Sequence, residues 1–316
     1  MRAVVLGSDG VTFEADYREP KLLNGEVLVR VLRVGICETD LQLIQGYMGF
    51  HGVLGHEFVG VAQSGPLKDE RVVGEINCSC WKCSLCRAGF PNHCPERRVL
   101  GIMNHDGAFA DYIAVPSQNL HRVPDEVSTN EAVFTEPLAA AHQIPVQVPL
   151  DMSQHVVVLG DGRLGNLCAQ VIKRHGCHVS VVGKHAEKLA LLERLGIKAV
   201  LLTDAKLTHT ADIVVDCTGS PTGLPTAIQL VKPRGKIILK TTVAVEQALS
   251  FTSLVIDEIT LVGSRCGPFR PALDALRSKQ IDVLPLISSI FPLDKASEAL
   301  EQAQASTVLK VLLDVE

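Results

Sequence analysis

Four cysteines, Cys80, Cys83, Cys86 and Cys94, stand at the spacing C-x2-C-x2-C-x7-C. Thiolates at such short steps can close one tetrahedral cage around a metal ion, so the segment from about residue 78 to about residue 95 is expected to be a structural zinc lobe. A ferredoxin-type iron–sulfur run would have a final gap of three residues. Here the gap is seven, although Pro95 does follow Cys94. Disulfides fit poorly in a chain that carries no secretory segment, because reducing compartments keep thiols open. Cys78 is a spare thiol outside the regular step. Further residues of metal-ligand type lie upstream, Cys37 and the pair His56-Glu57, and downstream lies Gly160-Asp161-Gly162-Arg163-Leu164-Gly165, a loop that can cradle a phosphate. Metal ligands and a phosphate loop in one chain point to metal-assisted oxidoreduction.

These groups need elements to hold them. With 316 residues, 47% hydrophobic and 21% charged, the chain can bury a sizeable core and is expected to form two domains. A net charge of −5 leaves no basic footprint for nucleic acid or an anionic membrane. The opening residues Met1 to Gly10 break too early for a signal segment, and no apolar run approaches the ~20 residues that span a bilayer, which predicts a cytoplasmic protein. Up to about residue 120, short Val/Leu runs interrupted by charges read as antiparallel, half-buried strands: Gly25–Gly35, Phe58–Gln63, Arg71–Ile76 and Ala110–Val115. From His155 the pattern becomes strand, glycine loop, helix and strand, the signature of a parallel sheet with crossover helices.

The glycine motif follows the apolar strand His155–Leu159 and opens a helix whose Leu164, Leu167, Cys168, Val171 and Ile172 fall on one face. Gly160 permits the tight turn, Gly162 lets backbone approach a pyrophosphate, Gly165 lets helix pack on strand, and the helix N-terminus supplies unpaired N–H groups. The next strand, Cys177–Gly183, ends on Gly183 where an acid would hold the ribose 2′-hydroxyl of NAD. Without that anion, and with Lys184 and His185 following, the reading favours NADP over NAD. Ile213–Gly219 and Gly235–Lys240 read as later parallel strands, so Thr218, Gly219 and Lys240 at their ends are expected to line the cofactor crevice together with Arg163 and Leu164.

The pieces Gly35-Ile36-Cys37-Glu38-Thr39-Asp40, Gly55-His56-Glu57, the four-cysteine lobe, Thr135-Glu136-Pro137-Leu138-Ala139 and the glycine loop occur in an order that resembles the zinc-dependent medium-chain dehydrogenase/reductase family, over essentially the whole chain. The resemblance implies an α/β architecture: a GroES-like catalytic domain over 1–135, a Rossmann cofactor domain over 136–264 and a C-terminal return over 265–316. That return would consist of helices near Pro271–Lys279 and Asp294–Ala305 and a final strand Val308–Leu313. It implies a catalytic zinc on Cys37, His56 and a carboxylate, Glu136 by position or Glu57 in exchange, and therefore two zinc ions per chain. Charge counting favours one carboxylate on the metal at a time.

In this family zinc polarises a substrate oxygen and the nicotinamide takes or gives a hydride. Thr39 is then the first proton relay and Asp40 the group that orients His56. Many relatives carry a relay histidine where this chain has Gln42, which leaves His51 or a ribose hydroxyl as substitutes. Tyr47, Met48 and Phe50 are candidates for the substrate pocket, and Arg265 could reach the cofactor. A homodimer or tetramer is a family expectation. Two other readings stand beside the alcohol dehydrogenase or aldehyde reductase: a cofactor-binding redox sensor without turnover, and a zinc-free enone or quinone reductase, against which Cys37, His56 and Glu136 speak.

Overall fold

Val27, Val29 and Val31 alternate along the strand Glu26–Gly35, and the computed structural model buries all three. The register slips between Val31 and Arg33, so Leu32 is an extra residue and Val34 returns to the core. The structure describes residues 1–206, 208–241 and 251–316. They form two compact units, Met1–Glu136 with Phe269–Glu316, and Pro137–Pro268.

In the first unit a seven-stranded sheet runs in the order Leu120–Arg122, Arg71–Gly74, Glu57–Ala62, Glu26–Gly35, Lys310–Asp314 and Ile287–Pro292, with Tyr112–Pro116 paired to the first half of Glu26–Gly35. Neighbours are antiparallel except for Ile287–Pro292 beside Lys310–Asp314. Gly35 is in register with Glu57 on one side and Leu312 on the other, so three distant chain segments meet where Cys37 leaves the sheet. A Cβ on Gly35 would stand 2.6 Å from Lys310 Cε and 2.8 Å from Glu57 Oε2. Only glycine leaves room for those two side chains.

A half-buried charge cluster ties the start of this central strand to the loops around it. Arg98 Nη2 donates to Glu26 Oε1 at 2.6 Å, the Leu23 N–H donates to Oε2 at 2.8 Å, and His105 Nε2 lies 3.8 Å from Oε1. Burial would raise the Glu26 carboxyl, but these donors outweigh it and hold it down to about 2. Burial would likewise lower His105, but Cys78 and Glu26 win and lift it to about 9. Glu26 therefore contributes stability that is present above its ordinary 4.5 and lost as pH falls toward 2. His105 contributes stability that is present below 6.5 and lost as pH rises through about 9. A thermal melt taken across pH should show its midpoint falling on both sides of this window, and Glu26→Gln should flatten the acid limb; an unaltered acid limb in that variant would refute the assignment.

The second unit is a six-stranded parallel sheet in the order Lys198–Leu201, His178–Gly183, His155–Leu159, Ala211–Asp216, Val231–Leu239 and Thr260–Gly263. The order reverses between His155–Leu159 and Ala211–Asp216, which opens a crevice at the carboxyl ends of those two strands. The helix Arg163–Arg174 departs from the one-face expectation. Every residue from Gly165 to Ile172 is buried, while Leu164 is only half-buried. Its polar side can be buried because Gln170 Nε2 donates to Asn166 Oδ1 at 2.7 Å, pairing two amides that would otherwise be desolvated alone.

Candidate metal centre and dinucleotide loop

The sulfur atoms of Cys80, Cys83, Cys86 and Cys94 lie within 4.8 Å of one another. Among the described residues no cysteine is in a disulfide. Cys83 caps the short helix Ser84–Arg87 and accepts the Cys86 N–H at 3.5 Å, and Cys94 Sγ accepts the Cys80 N–H at 3.4 Å. Trp81, between the first two cysteines, takes φ of 57°, the left-handed bend that lets the chain fold back on its own thiols. The donor set fits zinc: bonds of about 2.3 Å in a tetrahedron put sulfurs about 3.8 Å apart, and Cys83 and Cys94 are already 3.9 Å apart. Backbone N–H groups, that of Lys82 first, pull the Cys80 thiol down to about 7, whereas burial and the neighbouring thiols push Cys86 up to about 12. A cation is what would let all four ionise together.

A second cluster comprises Cys37, His56 and Glu57, again with ligand atoms within 4.8 Å. Cys37 is the N-cap of the helix Glu38–Ile44, and its N–H donates to Asp40 Oδ2 at 2.8 Å, so the first helical turn holds the thiol in place. Asp40 is fully buried, and its Oδ1 accepts the Gly55 N–H at 3.3 Å. The same oxygen lies 3.4 Å from His56 Nδ1, too poorly aligned to be a hydrogen bond, which leaves Nδ1 as a buried polar atom without a hydrogen-bond partner. Burial opposes a charged His56, but Asp40 and Cys37 outweigh it and favour the imidazolium strongly. The pocket thus already favours a positive charge, as a divalent cation site must. Thr39 Oγ1 lies 3.7 Å from Cys37 Sγ, which puts its hydroxyl beside the cluster.

Glu57 carries a partner that sequence reasoning missed. Lys310, fully buried on the C-terminal strand, donates from Nζ to Glu57 Oε2 and to the Ile36 carbonyl at 3.1 Å. The available signal was a lysine inside the apolar run Val308–Leu313, since an unpaired lysine is almost never fully buried. Glu136 sits half-buried in the first turn of the helix Thr135–Gln147 and is not among the residues that converge within 4.8 Å. Of the pocket candidates, Phe50 is buried, Tyr47 half-buried and Met48 55% exposed; His51 is exposed and Gln42 half-buried.

In the second unit the glycine loop has the shape its motif requires. Gly160 has φ of 115°, and a Cβ on it would lie 2.9 Å from the Cys217 carbonyl oxygen. Gly162, the N-cap of the helix Arg163–Arg174, has nothing within 4 Å of an added Cβ, an open face against which a pyrophosphate fits. A Cβ on Gly165 would lie 2.1 Å from the Gly160 carbonyl oxygen. Gly165→Ala is therefore expected to cost about 1–3 kcal/mol and weaken cofactor binding, checked by thermal melting and NAD(P)H titration.

Asp216 Oδ1 accepts both the N–H and the hydroxyl of Thr218, at 3.0 and 2.8 Å, and the Gly219 N–H donates to Thr241 at 3.1 Å. The Lys240 ammonium donates to the Ala140 carbonyl at 2.6 Å and to Ser264 Oγ and the Arg265 carbonyl at 3.2 Å. Its donors are thus spent on protein groups within this unit. Arg265 and Lys184 are exposed, and His185 is half-buried beside Asp161.

Comparison with known proteins places both units. Residues 23–125 match the family described as "Alcohol dehydrogenase GroES-like domain" and residues 164–278 match "Zinc-binding dehydrogenase". An L-threonine 3-dehydrogenase of Streptomyces avermitilis is 30% identical over 95% of this chain and 94% of its own. A crystal structure from Sinorhizobium meliloti 1021 bound to NADP superposes with a TM-score of 0.90 at 26% identity, covering 99% of each chain. An alcohol dehydrogenase from E. coli CFT073 complexed with NADH gives 0.91 at 26% identity, covering 100% of this chain and 99% of its own. With a GroES-like unit that gathers thiol, imidazole and carboxylate and a Rossmann unit that carries the glycine loop, the chain belongs to the zinc-dependent medium-chain dehydrogenase/reductase family.

Proposed function

We propose that the protein is a zinc-containing oxidoreductase that exchanges a hydride between NAD(P)(H) and an alcohol, aldehyde or ketone. The observation that carries this reading is the convergence of Cys37, His56 and Glu57 within 4.8 Å, in a chain whose second unit holds an open glycine loop. A zinc-free reductase would have no use for such a cluster. When bound, zinc supplies Lewis acidity toward an oxygen and the nicotinamide supplies hydride chemistry.

The chain's own residues do the rest. Cys37 and His56 are the metal ligands, joined by a carboxylate, for which Glu57 lies inside the cluster and Glu136 is the family's position. Asp40 holds the Cys37 turn and lies against His56. The Thr39 hydroxyl, which can accept and donate, takes the substrate proton and passes it on. Lys310 offsets the charge of Glu57 beside the cluster. A second zinc belongs to the four-cysteine lobe. Gly183 and Lys184 favour NADP over NAD, and we place the protein in the cytoplasm as a homo-oligomer, dimer or tetramer. Among the described residues no helix is long and apolar enough to cross a membrane.

The test is to count zinc per chain by native mass spectrometry and to follow NAD(P)H absorbance with a panel of alcohols, aldehydes and ketones. Two zinc ions and turnover on one substrate class support the reading. One zinc and no hydride transfer would replace it with the cofactor-binding sensor.

A further inference from the structure

The acid that a dinucleotide fold carries at the end of its second strand is absent here, since Gly183 stands there, but its place is not empty. The Asp161 side chain reaches into it from the glycine loop. Its Oδ2 accepts the backbone N–H of Lys184 and of His185, each at 2.6 Å, and His185 Nδ1 lies 3.1 Å from Oδ1. A Cβ on Gly183 would lie 2.4 Å from Asp161 Oδ2, 2.5 Å from its Cβ and 2.7 Å from its Cγ. The Asp161 carboxyl group thus fills the volume that a strand-end side chain would occupy, and glycine at 183 is what admits it. The residue is only 7% exposed, so the charge is held in one place.

We propose that Asp161 is a specificity-determining residue for the cofactor: the ribose-selecting acid, relocated from the strand end to the glycine loop, where it disfavours a 2′-phosphate. The proposal rests on the dinucleotide reading of the second unit. Two effects work in the same direction. The carboxylate puts a negative charge at the turn where folds of this kind bind the adenosine ribose, which suits a neutral 2′-hydroxyl that can donate to it and repels a phosphate. Its hydrogen bonds also occupy the N–H groups of Lys184 and His185, at the start of the helix Ala186–Arg194, which are the natural donors to a phosphate. Cations oppose it: exposed Lys184, buried Lys188 in the first turn of that helix, and Arg163 at the start of the helix after the glycine loop. The preference for NADP that Gly183 and Lys184 create is therefore held back by Asp161, and removing its charge releases that preference.

The experiment measures dissociation constants for NADPH and NADH by cofactor fluorescence on the wild type, Asp161→Asn, Asp161→Gly and the exchange variant Asp161→Gly/Gly183→Asp. Asp161→Asn should shift the affinity ratio toward NADPH by about tenfold, and Asp161→Gly by more, because it also frees the two N–H groups. The exchange variant, with the acid returned to the strand end, should restore the wild-type ratio. A purely structural Asp161 would weaken both cofactors alike; an unmoved ratio in Asp161→Asn, or one that shifts toward NADH, overturns the proposal. Circular dichroism identifies any variant that fails to fold. Asp161→Asn keeps the volume and an acceptor, so it decides the matter if Asp161→Gly does not fold. Failure of the folded wild type to bind either cofactor would instead overturn the dinucleotide reading, and the proposal with it.

Discussion

Cys37→Ser is expected to lose one of two zinc ions per chain and to lower the rate of hydride transfer by about 10³-fold or more, equivalent to roughly 4 kcal/mol of barrier. Serine nearly matches cysteine in shape, but its hydroxyl does not ionise near neutral pH, and the thiolate is the metal-binding form. The Asp40 carboxylate holds the Cys37 peptide N–H, and serine keeps a side-chain acceptor for the Asp40 N–H in the reciprocal cap, so the turn and the first helix should persist. The lobe at Cys80, Cys83, Cys86 and Cys94 is a separate cluster and is expected to keep its ion. Native mass spectrometry of wild type and variant side by side, with circular dichroism to confirm folding, reads both effects. Two zinc ions remaining in the variant would mean that Cys37 holds no metal, and metal-assisted hydride transfer would have to be abandoned.

Lys310→Met is expected to destabilise the protein by about 3–5 kcal/mol, the usual cost of leaving one member of a buried ion pair without its partner. Lys310 is fully buried and Glu57 1% exposed, so water cannot take over the lost interaction. Burial works against the ammonium and lowers it to about 8 although Cys37 and Asp40 work for it, and the contact with Glu57 is the pairing at stake. The double variant Lys310→Met/Glu57→Gln should recover most of the loss, because it removes the stranded charge along with its partner. Urea unfolding with zinc in excess measures all three proteins. A single-variant cost below about 1 kcal/mol, or a double variant no better than the single, would show that the pair does not carry this energy.

Some of the architecture was readable from short stretches of chain. The C-x2-C-x2-C-x7-C step closes through local turns such as that at Trp81, so its convergence follows from spacing alone. The glycine loop between an apolar strand and a helix likewise determines its own shape, because the conformation of Gly160 and the close approach at Gly165 are contacts within about five residues or across one strand. Alternation in Val27, Val29 and Val31 identified a strand with a buried face, though not the slip at Leu32 that follows it. The helix after the glycine loop buries more than the one face its apolar pattern marks, because a paired Asn166 and Gln170 can be buried where isolated amides could not.

What the sequence by itself determined was therefore local chemistry: a four-cysteine cluster, a glycine-rich loop, alternating strands, and ligand types at Cys37 and His56-Glu57. Only the tertiary structure decided how the charges on those groups are balanced. Lys310 meets Glu57 across 253 positions because two strands flank the same glycine, and no periodicity announces a contact of that range. Asp161 fills the space at Gly183 because side chain and missing side chain share one volume, a packing relation that two separate strings of residue types do not express. Propensity and spacing act along the chain, whereas burial and charge compensation act through space, and it is the second pair that determines which of the candidate groups in this protein are held ionised, and against which partner.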